Sequence, residues 1–293
     1  MIDGILVINK TTGMTSHDVV AQVRKLLKQR RVGHAGTLDP AAGGVLPICV
    51  GQGTRVAEYL SESGKAYQAE ITFGVTTDTY DAEGEVLRTA DTSHLTRDTI
   101  MASLPHFLGA QMQMPPRYSA IKIQGQPAYK RMRAGEEIAL EARPIHIYQL
   151  DLLSWQAPRL QLAVECSKGT YIRSLAYDLG KYMGCGAYLS ALTRTRSGPF
   201  TLAESLTLEQ LATLQEQGQL EHAIVPADRA LAHYPALALD AVSAERVLHG
   251  NAFHFSIAPA ELARVYDDKG QFIAIATWDA TQNAWQPQKV FHG

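Results

Sequence analysis

The order of strand-like and helix-like runs is what most limits the fold of this chain. "GILVINK" (4–10), "YQAEITFG" (67–74), "IHIYQLDLLSW" (145–155) and "LQLAVECS" (160–167) have the alternation or the β-branched content of strands. Between them lie stretches of helical period. "TSHDVVAQVRKLLKQ" (15–29) puts Val19, Val20, Val23, Leu26 and Leu27 on one face, with Ser16 as the expected N-cap and Asp18 in the first turn. "TRDTIMASLPHFLG" (96–109) reads as a helix capped by Thr96, and "TYIRSLAYDLGKYM" (170–183) as one closed by Gly184. No regular βαβ repeat connects these runs, which argues against a doubly wound parallel sheet. The expectation is α+β: a mixed, largely antiparallel sheet with flanking helices.

The texture changes after about residue 230. "ARVYDDKGQFIAIATW" (263–278) is a hairpin signal and "SAERVLHG" (243–250) a short helix. Residues 1–237 are therefore read as a main domain, and 238–293 as a small β-rich domain that leans on it. Within the main domain, 115–143 has the character of an inserted arm: Pro115-Pro116 opens it, and it carries six basic and three acidic residues.

With 46% hydrophobic and 19% charged residues in 293, the chain is able to bury a substantial core as a soluble protein. No run is long enough to span a membrane and "MIDGILVINK" lacks a signal-peptide pattern, so the cytoplasm is the expected location. Cys49, Cys166 and Cys185 are odd in number and far apart, which points to core residues in a reducing compartment and away from a thiolate metal site. A net charge of −2 does not by itself indicate nucleic-acid binding. Its distribution is more suggestive, because "RKLLKQRR" (24–31) gathers five positive charges and no negative one. Phosphate-loop, nucleophile-elbow and zinc-helix motifs are absent. "TDTYDAEGE" (77–85) imitates a calcium loop, but Tyr80 stands where a ligand belongs.

Two stretches hold candidate chemistry. "GHAGTLDP" (33–40) packs His34, Asp39, two glycines and a proline into eight positions. Pro40 biases Asp39 towards extended backbone, and Gly33 and Gly36 permit close approach of a ligand or another backbone. On these residues alone Asp39 is equally a turn cap or a catalytic carboxylate. In "CSKGTYIRSLAYDLG" (166–180), Arg173 sits near a helix start, where the dipole disfavours a cation. It wants a partner, either a carboxylate bound bidentately or an ordinary surface ion pair.

Five blocks, in this order, resemble the TruB family of tRNA pseudouridine synthases. They are "GILVINKTTGMTS", "GHAGTLDPAAGGVLPICVG", "KAYQAEITFGVTTDTYDAEGE", "MPPRYSAIKIQGQPAYKRMRAGE" and "VECSKGTYIRSLAYDLG", with "LSALTRTRSGPFTLAESL" following. The chain departs from the family at Thr11, where proline usually follows the lysine, and at Gly53-Thr54-Arg55, where Ala-Thr-Lys is usual. The resemblance implies that uridine in the T-loop of tRNA, at conventional position 55, is flipped out and isomerised without cofactor or metal. It implies that Asp39 is the catalytic aspartate, Arg173 its ion-pair partner and Tyr67 the ring stacking on uracil. His34 is expected to fill the space the flipped base leaves, Tyr171 and Leu192 to line the uracil pocket, and Lys10 to lie near the site. It further implies a thumb-like role for 115–143 and a PUA-like RNA-binding role for 238–293. Since the chain ends at "KVFHG" without a lysine-rich tail, a standalone enzyme is expected ahead of a guide-dependent relative. Asp39, which a pure binder does not need, sets it ahead of a non-catalytic RNA-binding scaffold, and the lack of a surplus apolar stripe points to a monomer.

Overall fold

The computed structural model describes residues 2–116, 118, 122–123, 126–127 and 140–291, with 122–123 and 126–127 as backbone only. The arm expected at 115–143 lies largely outside the described residues. The main sheet has nine strands: β1 (Gly4–Lys10), β2 (Val32–His34), β3 (Ala42–Val50), β4 (Lys65–Phe73), β5 (Gly109–Gln113), β6 (Arg143–Gln156), β7 (Arg159–Cys166), β8 (Ala187–Ser197) and β9 (Phe200–Thr201). Their order is β1-β3-β8-β4-β7-β6-β5, with β2 beside β3 and β9 beside β8. Only the β3–β8 pair is parallel, with Leu192 opposite Ala42 and Arg194 opposite Gly44. The sheet is therefore mixed and largely antiparallel, as expected.

That parallel seam needs a glycine. Gly44 has φ +99°, and a Cβ there would lie 2.2 Å from the Arg194 carbonyl oxygen, so no side chain fits between the two strands.

Helix α1 (Ser16–Leu27) starts at the residue expected to cap it, so its cap lies one residue earlier. Thr15 is the N-cap: its Oγ1 accepts from the Asp18 N–H at 3.1 Å, and the Asp18 carboxylate accepts from the Thr15 N–H at 2.8 Å. This reciprocal box occupies the cap and frees Ser16 to turn inward. Ser16 Oγ accepts from the Leu38 N–H at 2.9 Å and donates to the Leu38 carbonyl at 3.1 Å, which ties the helix start to the loop after β2. Val19, Val20 and Val23 are buried. Leu26 and Leu27, expected on the same face, are partly exposed where the helix ends. The other α-helices of the main body among the described residues are α2 (Ala57–Glu62), α3 (Arg97–Ser103), α4 (Ile172–Tyr182) and α5 (Leu208–Glu216). Thr96 caps α3 as read, and Gly184, at φ +79°, follows the end of α4.

The core divides according to which helices cover the sheet. α3 and α4 cover the β4–β7–β6 region around Phe73, Leu162 and Leu175, while α1 and α5 cover β1 and β3 around Leu6, Ile48 and Val19. All three cysteines are buried and unpaired. A third cluster joins Ile5, Val56 and Leu60 to Leu262, Ile275 and Phe291 from the C-terminal part of the chain.

The C-terminal part consists of helix α6 (Ala241–Leu248) and a second sheet, β10 (Ala236–Ala238), β11 (Ala263–Tyr266), β12 (Phe272–Asp279) and β13 (Ala284–Val290). The expected hairpin is β11–β12. Arg55, at a position where the family usually carries lysine, donates to the Val290 carbonyl at 2.6 Å and lies over the Phe291 ring. Trp285 is fully buried at the centre of this part, against Trp278 and near Val247 and Leu237. Replacing it with alanine is expected to cost about 3–5 kcal/mol, read as a lowered melting temperature; an unchanged melting curve would show that this small core does not form in solution.

Candidate active site

The loop between β2 and β3 is held from below by two buried cations. Lys10, 1% exposed, donates from Nζ to the carbonyls of Thr11 (3.0 Å), Met14 (2.7 Å) and Pro40 (3.3 Å). Arg194, also 1% exposed, donates to Val45 (2.7 Å), Thr37 (3.3 Å) and Gly36 (3.0 Å). Gly36 adopts φ +96°, a conformation that favours glycine. The Asp39 carbonyl closes the turn by accepting from the Ala42 N–H at 3.0 Å. With the turn closed through the backbone, the Asp39 side chain is available to project into the cleft.

Its carboxylate lies 2.9 Å from Arg173 Nη2 and is about half exposed. Arg173 is itself buried. Its other nitrogen, Nη1, contacts Asp81 Oδ2 at 3.2 Å and the Thr79 carbonyl at 3.4 Å, and Nη2 also donates to Tyr118 O at 3.1 Å. The cation at a helix start therefore has its partner, but its fork is divided between two carboxylates. Asp81 is fixed in turn by Thr79 Oγ1 at 2.5 Å and the Glu83 N–H at 3.1 Å. This is the loop that failed as a calcium site, and its carboxylate serves the arginine instead.

Asp39, Arg173, Tyr67, Tyr171 and Leu192 all line one cleft of about 340 Å³, at the lower end of the range for small-molecule sites. Tyr67 on β4 pairs with Arg194 on β8. Burial pushes the Tyr67 phenol up, and the Arg194 guanidinium, hydrogen-bonded to it, works in the opposite direction. Leu192 and Tyr67 each pack on both main core clusters, which gives the cleft a fixed apolar wall. Tyr171 stands at the N-cap of α4, and the buried Gln113 grips it there: Gln113 accepts from the Tyr171 N–H at 2.8 Å and donates to its carbonyl at 3.0 Å.

His34 and Lys10 are not among the residues lining the cleft. The His34 ring meets His17 edge-on at 5.4 Å between centroids, with a buried Nδ1 that has no hydrogen-bond partner. Burial, helped by His17 and Arg194, lowers its pKa, which keeps the ring neutral at pH 7. Burial also lowers Lys10, opposed by nearby Asp39.

Sequence reading missed Asp81, Gln113, Arg194 and Lys65. Lys65 lines the cleft and caps the end of α2, donating to the carbonyls of Ser61 (2.7 Å), Leu60 (3.4 Å) and Ser63. Burial, with Arg194 nearby, brings it down to about 8. For Arg194 a signal existed: a cation in the middle of a strand run that the sheet has to bury. Among the described residues, no group of three His, Cys, Asp or Glu is placed to hold a metal ion.

Fold and cleft together present an arginine-held carboxylate facing an apolar wall on a mixed, mostly antiparallel sheet, an arrangement suited to an enzyme's active site. The model for the TruB family pseudouridylate synthase N-terminal domain matches residues 24–172. Two further models match behind it: the tRNA pseudouridylate synthase B C-terminal domain at 173–232, and pseudouridine synthase II TruB, C-terminal, at 235–285. The tRNA pseudouridine synthase B of Dehalococcoides mccartyi strain CBDB1 is 44% identical over 99% of this chain and 97% of its own length. That of Pseudomonas aeruginosa strain UCBPP-PA14 is 46% identical over 94% of this chain and 91% of its own. Among solved structures, a chain of a Cbf5-Nop10-Gar1 complex superposes with a TM-score of 0.78 at 28% identity, over 99% of this chain and 85% of that one. The chain belongs to the TruB family of pseudouridylate synthases.

Proposed function

We propose that this protein isomerises uridine to pseudouridine at conventional position 55, in the T-loop of tRNA, with Asp39 as the catalytic carboxylate. The observation that carries this reading is the Asp39–Arg173 pair at 2.9 Å, facing a cleft walled by Tyr67 and Leu192. The target uridine leaves its stack to enter the cleft. There the N1–C1′ bond breaks, uracil turns, C5 bonds to C1′, C5 loses its proton and N1 gains one, so no atoms or electrons are exchanged overall. Asp39 acts as nucleophile or stabilises the electron-poor sugar, the device used at other glycosidic bonds. Arg173 holds the carboxylate in place and aims it.

Tyr67 remains a protonated phenol at neutral pH, because burial raises it, and its role is to stack on uracil. Tyr171 and Leu192 line the base pocket, and neutral His34 occupies the place of the flipped base. Lys10 acts through the loop backbone it holds.

Residues 1–237 form the synthase domain and 238–293 a PUA-like RNA-binding domain, with 115–143 closing on the stem-loop. The relatives named tRNA pseudouridine synthase B support tRNA as the substrate, and the protein is read as a monomer acting alone in the cytoplasm. The likeness to a chain in an H/ACA RNP bound to a substrate RNA, TM-score 0.77 at 26% identity, favours a guide-dependent reading, but at much lower identity.

The test is carbodiimide labelling and primer extension on an unmodified tRNA incubated with the purified protein alone. One stop at the T-loop uridine is expected. Labelling that appears only with a guide RNA and added proteins would favour the guide-dependent reading instead.

A further inference from the structure

We propose that Arg194 is a positioning residue that fixes the Asp39 loop and the Tyr67 ring in one geometry, so that both face the same uridine. This rests on the function proposed above.

The backbone of Arg194 is locked from two sides. It pairs with Gly44 of β3 across the parallel seam and with Tyr67 of β4 across an antiparallel one. The strand is irregular immediately beyond, between Arg194 and Arg196. From this locked position the guanidinium reaches beneath the loop and meets three carbonyls that do not belong to one element. Gly36 and Thr37 precede Asp39 in the loop, and Val45 lies in the strand that follows. The Tyr67 ring rises from the residue paired directly opposite Arg194, close enough for the guanidinium charge to act on its phenol.

One rigid planar group thus spans the segment before the carboxylate, the strand after it and the opposing ring. Arg173 aims the Asp39 carboxylate itself, while Arg194 sets where its backbone lies relative to Tyr67. Burying a guanidinium this completely is costly unless its donors are satisfied, and here each nitrogen has a carbonyl acceptor. A lysine has the charge but not the fork, and its single nitrogen does not reach the same set of acceptors in one geometry. The competing role is a plain tie between strands, which would affect stability and leave the turnover of each folded molecule unchanged.

Two variants separate these roles: Arg194→Lys, which keeps the charge, and Arg194→Met, which removes it. Each is assayed beside the wild type for pseudouridine formation on unmodified tRNA, with kcat and KM measured separately, and for its melting temperature. The pH midpoint of the His34 ring is followed by proton NMR. Misplacing a reacting group by about 1 Å costs on the order of 100-fold in rate. The expectation for Arg194→Lys is a kcat lowered by roughly 10- to 100-fold with KM within about twofold.

His34 lies within the influence of the Arg194 charge, so its midpoint is expected to rise in Arg194→Met and to hold in Arg194→Lys. If Arg194→Met does not fold, Arg194→Lys decides alone. A folded Arg194→Lys with wild-type kcat overturns the proposal, as does a loss confined to KM. Wild-type protein that makes no pseudouridine overturns the functional reading first, and this proposal with it.

Discussion

Asp39→Asn is expected to abolish pseudouridine formation while leaving the protein folded and tRNA bound. The substitution keeps the size and removes only the negative charge. Removing a nucleophile of this kind from a preformed site lowers kcat by roughly 10⁴- to 10⁶-fold. The fold is expected to survive because Arg173 is not left alone: Asp81 remains at 3.2 Å, with the Thr79 and Tyr118 carbonyls as further acceptors. The loop also keeps its shape, since it is held through the carbonyls of Gly36, Thr37 and Pro40, none of which involves the Asp39 side chain. Binding is measured by filter retention of labelled tRNA and activity by carbodiimide labelling. Retained activity would remove Asp39 from the chemistry, and loss of binding together with activity would assign it to RNA recognition or to the loop's structure.

How far the sequence revealed this arrangement depended on whether a signal was local. Strand alternation, the Thr96 cap, the β11–β12 hairpin and the clustering of small residues around Asp39 are properties of short windows, and the structure has each of them. The cap of α1 was displaced by one residue because Thr15 and Ser16 are both good caps, and only the loop packed against the helix shows that Ser16 is engaged with Leu38. Arg173 was legible as a cation in want of a partner, since its misfit with the helix dipole is also local. Its second partner was not. Asp81 is 92 residues away, and in isolation its loop read as a failed cation site. Arg194 needed still more, because its acceptors lie about 150 residues upstream and meet it only after β3 and β8 pair in parallel. Side chains whose role is to join distant elements leave little trace in any one window.

Arg173→Met is the variant expected to damage stability and catalysis together, and the two losses are separable. The side chain being replaced is 8% exposed and bridges carboxylates of unequal burial, Asp81 at 10% and Asp39 at 45%. Removing the cation leaves Asp81 buried with two hydrogen bonds and no counter-charge, a situation that costs about 3–5 kcal/mol in comparable buried pairs. Asp39 loses its partner too, but water reaches it, so its share of the stability loss is small. Its catalytic share is large, because the carboxylate is no longer aimed. Adding Asp81→Asn to Arg173→Met removes the stranded charge, and melting is expected to recover most of the lost stability. Activity is expected to stay low, since nothing in the double variant orients Asp39. Were the double variant to recover activity along with its melting temperature, Arg173 would be acting only as a structural counter-ion for Asp81.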